Sequence, residues 1–247
     1  MTALRYSYEG ICNLCGHKGR FEGDDLRQAR DHFACPSCNA SLRFRNQAAA
    51  ILSHFADGTE FFLDRFTRNE LFTQLAIVEQ GAHGPFARRF KKLPNYQQAY
   101  LFEDLPIGES QQPVASADVE RRALEKESVD LVLTSDLLKH LPDPRKAIAD
   151  IARVLKPGGA HIFTIPIPWP IPPASTARAK LIDGRIEHLA EPKYHRTAQG
   201  EPLLTFTEFG ADILDWHAKA GMRAYFYDSH RMIGSLGRYP AVVATKL

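Results

Sequence analysis

The stretch from 128 to 166 constrains the fold more than any other part of the chain. Val129–Thr134 is a short apolar, β-branched run without a 3.6-residue period, the pattern of a parallel strand buried on both faces. Asp136–His140 leaves its C-terminal end as a turn. Asp143 stands before Pro144 as an N-cap stands before a proline at the first helical position. Ala147, Ile148, Ile151, Ala152, Val154 and Leu155 then recur at helical spacing. Pro157-Gly158-Gly159 stops the helix and turns the chain, and His161–Ile165 reads as the next strand. Strand, helix and strand in this order predict a βαβ unit of an open α/β sheet.

The cysteines add a second constraint. All four lie in the first 38 residues, as Cys12-x-x-Cys15 and Cys35-x-x-Cys38 with 19 residues between the pairs. Two such knuckles can place four thiolates tetrahedrally around Zn²⁺. Gly16 and Asn39 follow the two pairs at matching places, and both tolerate the positive φ that a knuckle turn needs. Two disulfides or free thiols are the alternatives, and the intracellular reading below speaks against disulfides. The expectation is a structural zinc ribbon with no open coordination position. Ser41–Arg45 follows, its arginines either packing the ribbon onto the next domain or binding an anion. A helix is expected from Gln47 to about Phe55, ended by Asp57-Gly58.

A chain of 247 residues allows one large domain, or one domain and a small module, and 44% apolar residues suffice for a full core. The 31 basic and 29 acidic residues are too balanced to argue for a nucleic-acid partner by charge alone. Met1–Gly10 lacks the apolar core of a signal peptide, and no apolar run approaches the roughly 20 residues that span a bilayer. The expectation is a soluble, cytoplasmic protein with no membrane partner; nothing in the sequence fixes its oligomeric state.

The words of the βαβ stretch are more particular than its pattern. Asp130, Asp136-x-x-x-His140-Leu-Pro-Asp-Pro144 and Arg153-Val-Leu-Lys-Pro-Gly-Gly159 together resemble class I S-adenosylmethionine (SAM) methyltransferases of the type 11 kind. With the cysteine knuckles and the later Phe206-Thr-Glu-Phe-Gly210, the resemblance extends to zinc-ribbon members of that group. It implies a doubly wound, mostly parallel, seven-stranded Rossmann-like sheet. Residues 1–56 would form the ribbon and linking helix, and residues 57–247 the methyltransferase-like domain with a lid insertion over about 167–205.

The resemblance also implies a cofactor site. Leu75–Val78 is the first-strand candidate, and Glu79 and Gly81 match the family's acidic residue and Gly-rich turn. His83 and Pro85 occupy the other glycine positions, with Gly84 displaced by one. The turn must let SAM's methionine end pass close to a backbone without Cβ. A helix over Phe86–Leu93 and a second strand over Tyr96–Phe102 follow. Tyr100 stands where the family carries a ribose-binding acid, and Glu103 and Asp104 come slightly late. The third strand is expected at Val114–Ala117. Asp118 would then accept a hydrogen bond from the adenine amino group, and the Val119 backbone N–H would meet the ring. Asp136 completes the cofactor set. Lys139 replaces a frequent glutamate; it can repel the sulfonium or bind an acidic substrate.

Residues 167–173 hold four prolines in seven positions, a stiff extended segment. The lid after it mixes Arg178, Lys180, Arg185, His188, Lys193, Tyr194, His195 and Arg196. Such a lid suits an anionic or polyhydroxylated acceptor, or merely covers the core. Thr207 is expected to cap a helix running to about Ala220. Arg223–Asp228 and Ala241–Lys246 would close the sheet as an antiparallel pair. The leading function is methyl transfer from SAM to a small-molecule or saccharide acceptor by in-line displacement, with His140 and His195 as candidate general bases. Two others fit the pattern. His83, Tyr100 and Lys139 suit a non-catalytic, methyltransferase-like binding protein. The ribbon would suit an RNA methyltransferase, which ranks lower because residues 1–68 carry nine Lys/Arg against eight Asp/Glu.

Overall fold

Short apolar runs buried on both faces build a central six-stranded sheet in the computed structural model, which describes residues 6–24, 29–80, 84–98, 124–196, 202–229 and 239–247. The first described elements are a hairpin of β1 (Tyr6–Ile11) and β2 (Lys18–Gly23), then helices α1 (Leu42–Phe55), α2 (Leu63–Phe66) and α3 (Glu70–Thr73). Next come β3 (Ile77–Gln80), α4 (Ala87–Phe90) and β4 (Tyr96–Gln98). The βαβ unit is β5 (Val129–Ser135), a 3₁₀ turn at Leu138–His140, α5 (Pro144–Val154) and β6 (Leu155–Thr164). Six short strands follow: β7 (Thr176–Ala177), β8 (Ala179–Ile182), β9 (Arg185–His188), β10 (Tyr194–Arg196), β11 (Pro202–Leu204) and β12 (Thr207–Glu208). Helix α6 (Ile213–Lys219), β13 (Met222–Tyr227) and β14 (Ala241–Lys246) complete the chain.

The central sheet has the order β13-β14-β6-β5-β3-β4. β4, β3, β5 and β6 are parallel, and β14 runs antiparallel between β6 and β13. One face carries Ile77, Leu131, Leu133, Ala160, Ile162 and Val243 and shares a core with α1 and the β1–β2 hairpin. The other carries Val78, Val132, Phe163, Val242 and Ala244 and packs on α5 and α6. The expected third strand, Val114–Ala117, and the end of the expected second strand lie outside the described residues.

Helix α1 places three consecutive polar residues in the interior, each about 100° round the helix from the last. Arg45 donates from Nη2 to the Phe33 carbonyl at 2.8 Å and lies 4.1 Å over the Phe21 ring. Asn46 donates to the carbonyls of Tyr227 and Tyr239 and accepts from Ser229 N–H. Gln47 donates to Thr134 O on β5 (3.1 Å) and Ile162 O on β6 (3.0 Å), and accepts from Ser135 Oγ. The two buried amides are tolerated because they are hydrogen-bonded, and the guanidinium adds ring stacking to its one bond.

Asp143 caps α5 as expected, accepting from the N–H groups of Arg145 and Lys146 with Pro144 at the helix start. The Pro157–Gly159 segment, expected to stand outside the strand, is a bulge within β6. The register jumps from Val129↔Leu155 to Leu131↔Ala160. Gly159 is required there: a Cβ would lie 2.9 Å from Lys156 O and 3.1 Å from Asp130 O. Helix α1 starts at Leu42, not Gln47, so the arginines of Ser41–Arg45 lie on its first turn. The helix expected over Phe86–Leu93 is only Ala87–Phe90. Thr207 does not cap a helix. Its strand pairs with β7, the buried Phe206 and Phe209 pin the backbone extended, and the helix starts only after Asp212. The lid holds two hairpins, and Asp183-Gly184 with φ of 49° and 74° is the two-residue turn between β8 and β9.

A buried chain of polar groups crosses the α5–α6 face. Thr134 Oγ1 lies 3.0 Å from His161 Nε2, His161 Nδ1 3.4 Å from His217 Nε2, and His217 Nδ1 2.8 Å from Ile213 O. Burial holds His161 neutral far below its ordinary value, and pushes His217 down to about 4 against the opposing bond to Ile213. Unfolded, each titrates near 6.5. As pH falls from about 6.5 toward 4 the unfolded state binds more protons, so the stability present above that window drains away. His217→Gln, which keeps an acceptor for His161, should lose on the order of 2 kcal/mol of that acid sensitivity, read as the gap between urea midpoints at pH 7 and pH 4.5. An unchanged gap would remove His217 from the account.

Candidate functional site

The chain leaves β3 toward β4 on one side, and β5 and β6 build out on the other. The carboxyl ends of β3 and β5 therefore flank a topological switch point, where open α/β sheets bind ligands. Gln80 and Ser135 end these two strands. At the β5 end the turn after the strand, the segment between the β1–β2 hairpin and α1, and the lid meet.

On the β3 side, Glu79 is buried and accepts from the Tyr96 hydroxyl at 2.7 Å. Burial pushes its carboxyl up to about 7, against the lowering bond from Tyr96. Gly84 lies beside it: a Cβ there would stand 3.1 Å from Glu79 Oε1. Gln80 is buried, and among the described residues neither its amide oxygen nor its amide nitrogen has a hydrogen-bond partner. An orphaned amide at a switch point fits a polar ligand in the crevice. Gly81, Tyr100, Asp118 and Val119 lie outside the described residues.

On the β5 side, Asp136 has φ 58°, a left-handed conformation that aspartate tolerates. Its N–H donates to Thr164 O at 2.9 Å. Its carboxylate is gripped by both terminal nitrogens of Arg30, 106 residues earlier in sequence, with Arg43 and Lys139 each 3.8 Å away. Burial raises the carboxyl pKa, but Arg30, Arg43 and Lys139 override it and hold Asp136 well below the usual carboxylate range. Lys139 is itself buried, which pulls its ammonium down to about 8 although Asp136 pulls the other way.

The lid closes on the 3₁₀ turn. Phe206 N–H donates to Lys139 O at 2.8 Å, and His140 Nδ1 donates to Leu204 O at 2.7 Å. Strand β10, paired with β11, carries His195 to within 5.9 Å of His140, ring centroid to ring centroid. Burial pushes His140 down to about 4 and lowers His195 less far, with Lys139 adding to both shifts. The two histidines singled out in the sequence thus meet beside Asp136. Arg30, Gln80 and Tyr96 carried no signal of their own in the sequence. Arg43 lay in the arginine segment read as packing or anion-binding.

Cys12, Cys15, Cys35 and Cys38 form a separate centre. Their Sγ atoms all lie within 4.8 Å of one another, with Cys12–Cys38 and Cys15–Cys35 both at 3.7 Å. A tetrahedron with metal–sulfur bonds of about 2.3 Å has edges of about 3.8 Å. The two knuckles repeat one backbone pattern: Gly16 N–H to Cys12 O and Asn39 N–H to Cys35 O, both 2.7 Å. Gly16 has φ 79° and Asn39 φ 57°, as the sequence predicts. Arg45 Nε and Nη1 have no hydrogen-bond partner. Arg45 Nη2 donates to Phe33 O, two residues before Cys35, so a buried guanidinium stands beside the second knuckle. Thiols, spacing and counter-charge fit a closed four-thiolate metal site. Among the described residues, no helix is long and apolar enough to cross a membrane.

The strand order, with parallel β4-β3-β5-β6 followed by an antiparallel β14–β13 edge, is that of the class I methyltransferase fold. Residues 99–163 match the family model described as "Methyltransferase domain", and of these the described part runs through β5, α5 and β6. A dimethylglycine N-methyltransferase of Parasynechococcus marenigrum is 39% identical over 59 residues, 24% of this chain. The match spans 21% of that relative, about a fifth of its length. Among solved structures, an S-adenosylmethionine-dependent methyltransferase from Mesorhizobium loti is 18% identical, covering 70% of this chain and 91% of its own, with a TM-score of 0.43. A sugar N-methyltransferase from Streptoalloteichus is 14% identical, covering 83% and 91%, with a TM-score of 0.42. The assignment of fold rests on strand order and the family-model match.

Removing one partner of a buried ion pair leaves the other charge uncompensated. Arg30→Gln should therefore cost about 3 kcal/mol in urea unfolding at pH 7, and Asp136→Asn in the Arg30→Gln background should recover part of it. Strictly additive losses would show that the pair is not coupled.

Proposed function

We propose that the protein is a SAM-dependent methyltransferase acting on a small-molecule or saccharide acceptor. The observation that carries this reading is the convergence of His140 and His195 at the carboxyl end of β5, beside the β3–β5 switch point. Bound SAM would supply an electrophilic methyl group on a sulfonium sulfur. Glu79, Gly81, Gly84 and the Gln80 amide would hold its amino-acid end, Asp118 and Val119 its adenine, and Tyr100 would stand in the ribose region.

The protein's task is to place the acceptor in line and to manage one proton. His140 donates from Nδ1 to Leu204 O, so its Nε2 carries the lone pair and can only accept. With a pKa near 4 it stays neutral at pH 7 and orients the acceptor hydroxyl or amine. His195, less perturbed and half-exposed, is the stronger base and takes the proton as the methyl is transferred. The lid contacts at Leu204 and Phe206 exclude water from the turn. Asp136, held by Arg30, fixes that turn as well as the negative charge beside it. The four cysteines hold a structural zinc. Inward direction of Arg30, Arg43 and Arg45 leaves fewer ribbon cations facing outward, which supports a small acceptor over RNA.

Calorimetric titration of the zinc-loaded protein with SAM and S-adenosylhomocysteine should give micromolar dissociation constants, and Gly81→Arg should abolish both. Failure of both ligands to bind the parent protein would favour a non-catalytic, methyltransferase-like binding protein. Metal analysis should return about one zinc per chain, lost in Cys35→Ser; a folded, metal-free protein would sink the zinc assignment. Once an acceptor is in hand, His195→Ala should lower kcat at least about tenfold. The acid limb of the parent rate should fall below pH of about 6.5, since burial lowers the His195 pKa.

A further inference from the structure

The N-terminal part of the chain does more than gather four thiols, because Arg30, between the hairpin and α1, and Arg43, on the first turn of α1, reach the crevice at the end of β5. Arg30 and Arg43, at the junction of the module and α1, stand with Lys139 around Asp136. Their side chains are only 13%, 16% and 6% exposed. Three cations face two carboxylates, Asp136 and the half-exposed Asp31. Arg30 spends both terminal nitrogens on these acids. Arg43 spends Nε on Asp31 at 2.9 Å and lays its guanidinium 4.1 Å over the Phe44 ring. Its two terminal nitrogens make no hydrogen bond among the described residues. Lys139 has an ion partner at 3.8 Å, beyond hydrogen-bond distance, and its ammonium donates to nothing else described.

A cluster with more cations than anions, largely removed from solvent, is costly. An oxyanion in this place would take the free N–H groups of Arg43 and Lys139 and balance the charge. The first turn of α1 adds to the field: it contains no acidic residue, and the buried hydroxyl of its N-cap Ser41 has no partner. The cluster also adjoins both halves of the site. Phe44 packs on Phe86, just after the donor turn, while Lys139 precedes His140 in the turn that carries the candidate base.

We propose that Arg43 and Lys139, with Arg30 holding Asp136 in place, form a subsite for an oxyanion, a carboxylate or phosphate, carried by the acceptor. This rests on the methyl-transfer reading for the identity of the neighbouring cofactor. A cationic wall beside a sulfonium opposes cofactor binding unless an anion screens it. Acceptor and cofactor should therefore bind with positive cooperativity. The hairpin module, and so its metal, then belongs to the acceptor site and does not only support the fold.

The test uses the full-length, zinc-loaded protein. Inorganic phosphate is titrated by calorimetry at constant ionic strength, with chloride as the control, in the presence of SAM, of S-adenosylhomocysteine, or of neither. Parent protein should bind phosphate saturably, and more tightly with SAM, whose sulfonium is charged, than with S-adenosylhomocysteine, whose thioether is neutral. Arg43→Gln and Lys139→Gln should each weaken phosphate at least tenfold, with S-adenosylhomocysteine affinity changed less than twofold. Arg43→Lys should restore part of the loss, and circular dichroism should report native folding of each variant. Absence of saturable phosphate binding, or equal binding by folded variants, overturns the subsite. Weaker S-adenosylhomocysteine binding in Arg43→Gln, with 5′-methylthioadenosine unaffected, assigns the oxyanion to the cofactor's own carboxylate and overturns the acceptor assignment. Saturable phosphate binding in a protein that binds no S-adenosylhomocysteine supports the subsite and rejects methyl transfer.

Discussion

Three adjacent side chains on α1 hold together parts of the chain that are far apart in sequence. Arg45 reaches the four-cysteine module, Asn46 the two strands that close the sheet, and Gln47 the two strands at its centre. All three are buried polar groups, and the bonds they make are those that dock the helix. Apolar packing alone would let α1 slide or rotate on the sheet. Directional bonds to four strand or strand-end carbonyls remove that freedom. They also fix Arg43, two residues before Arg45, relative to the carboxyl end of β5.

That coupling explains why the fold was readable and much of the site was not. The βαβ unit announced itself through local terms: an apolar run, an Asp-Pro cap, helical spacing, and a glycine whose Cβ would strike the neighbouring carbonyls. The cysteine knuckles were legible for the same reason, since two identical turns need two residues tolerant of positive φ. Thr207 misled because it had a good cap's chemistry, while the buried Phe206 and Phe209 set the backbone instead. The Asp183-Gly184 turn was an available signal for a lid hairpin that the reading of the lid as loop passed over. Arg30 could not have been found. Its partner lies 106 residues away, and nothing local distinguishes it from a surface arginine. His140 and His195 were named as types suited to proton transfer, and only the fold of the lid brings them together.

The electrostatics of the crevice divide into two regimes. Near β3 a carboxyl, Glu79, has a phenol for company and a raised pKa. Near β5 a carboxylate, Asp136, is outnumbered by cations and stays charged. A ligand with a cation at one end and an anion nearby would meet opposite fields across the strand gap. Orientation can come from this gradient without any contact to the reacting group itself.

The buried chain from Thr134 to Ile213 has a direction. Its last member is a carbonyl, which can only accept, so His217 must carry its proton on Nδ1. His161 must then do the same, and the Thr134 hydroxyl must point at His161. One backbone oxygen on α6 thereby sets two imidazole tautomers and freezes a hydroxyl rotor at the end of β5, two residues before Asp136. A change at α6 that withdraws this carbonyl would free both imidazoles and the hydroxyl to reverse their hydrogens at the edge of the crevice.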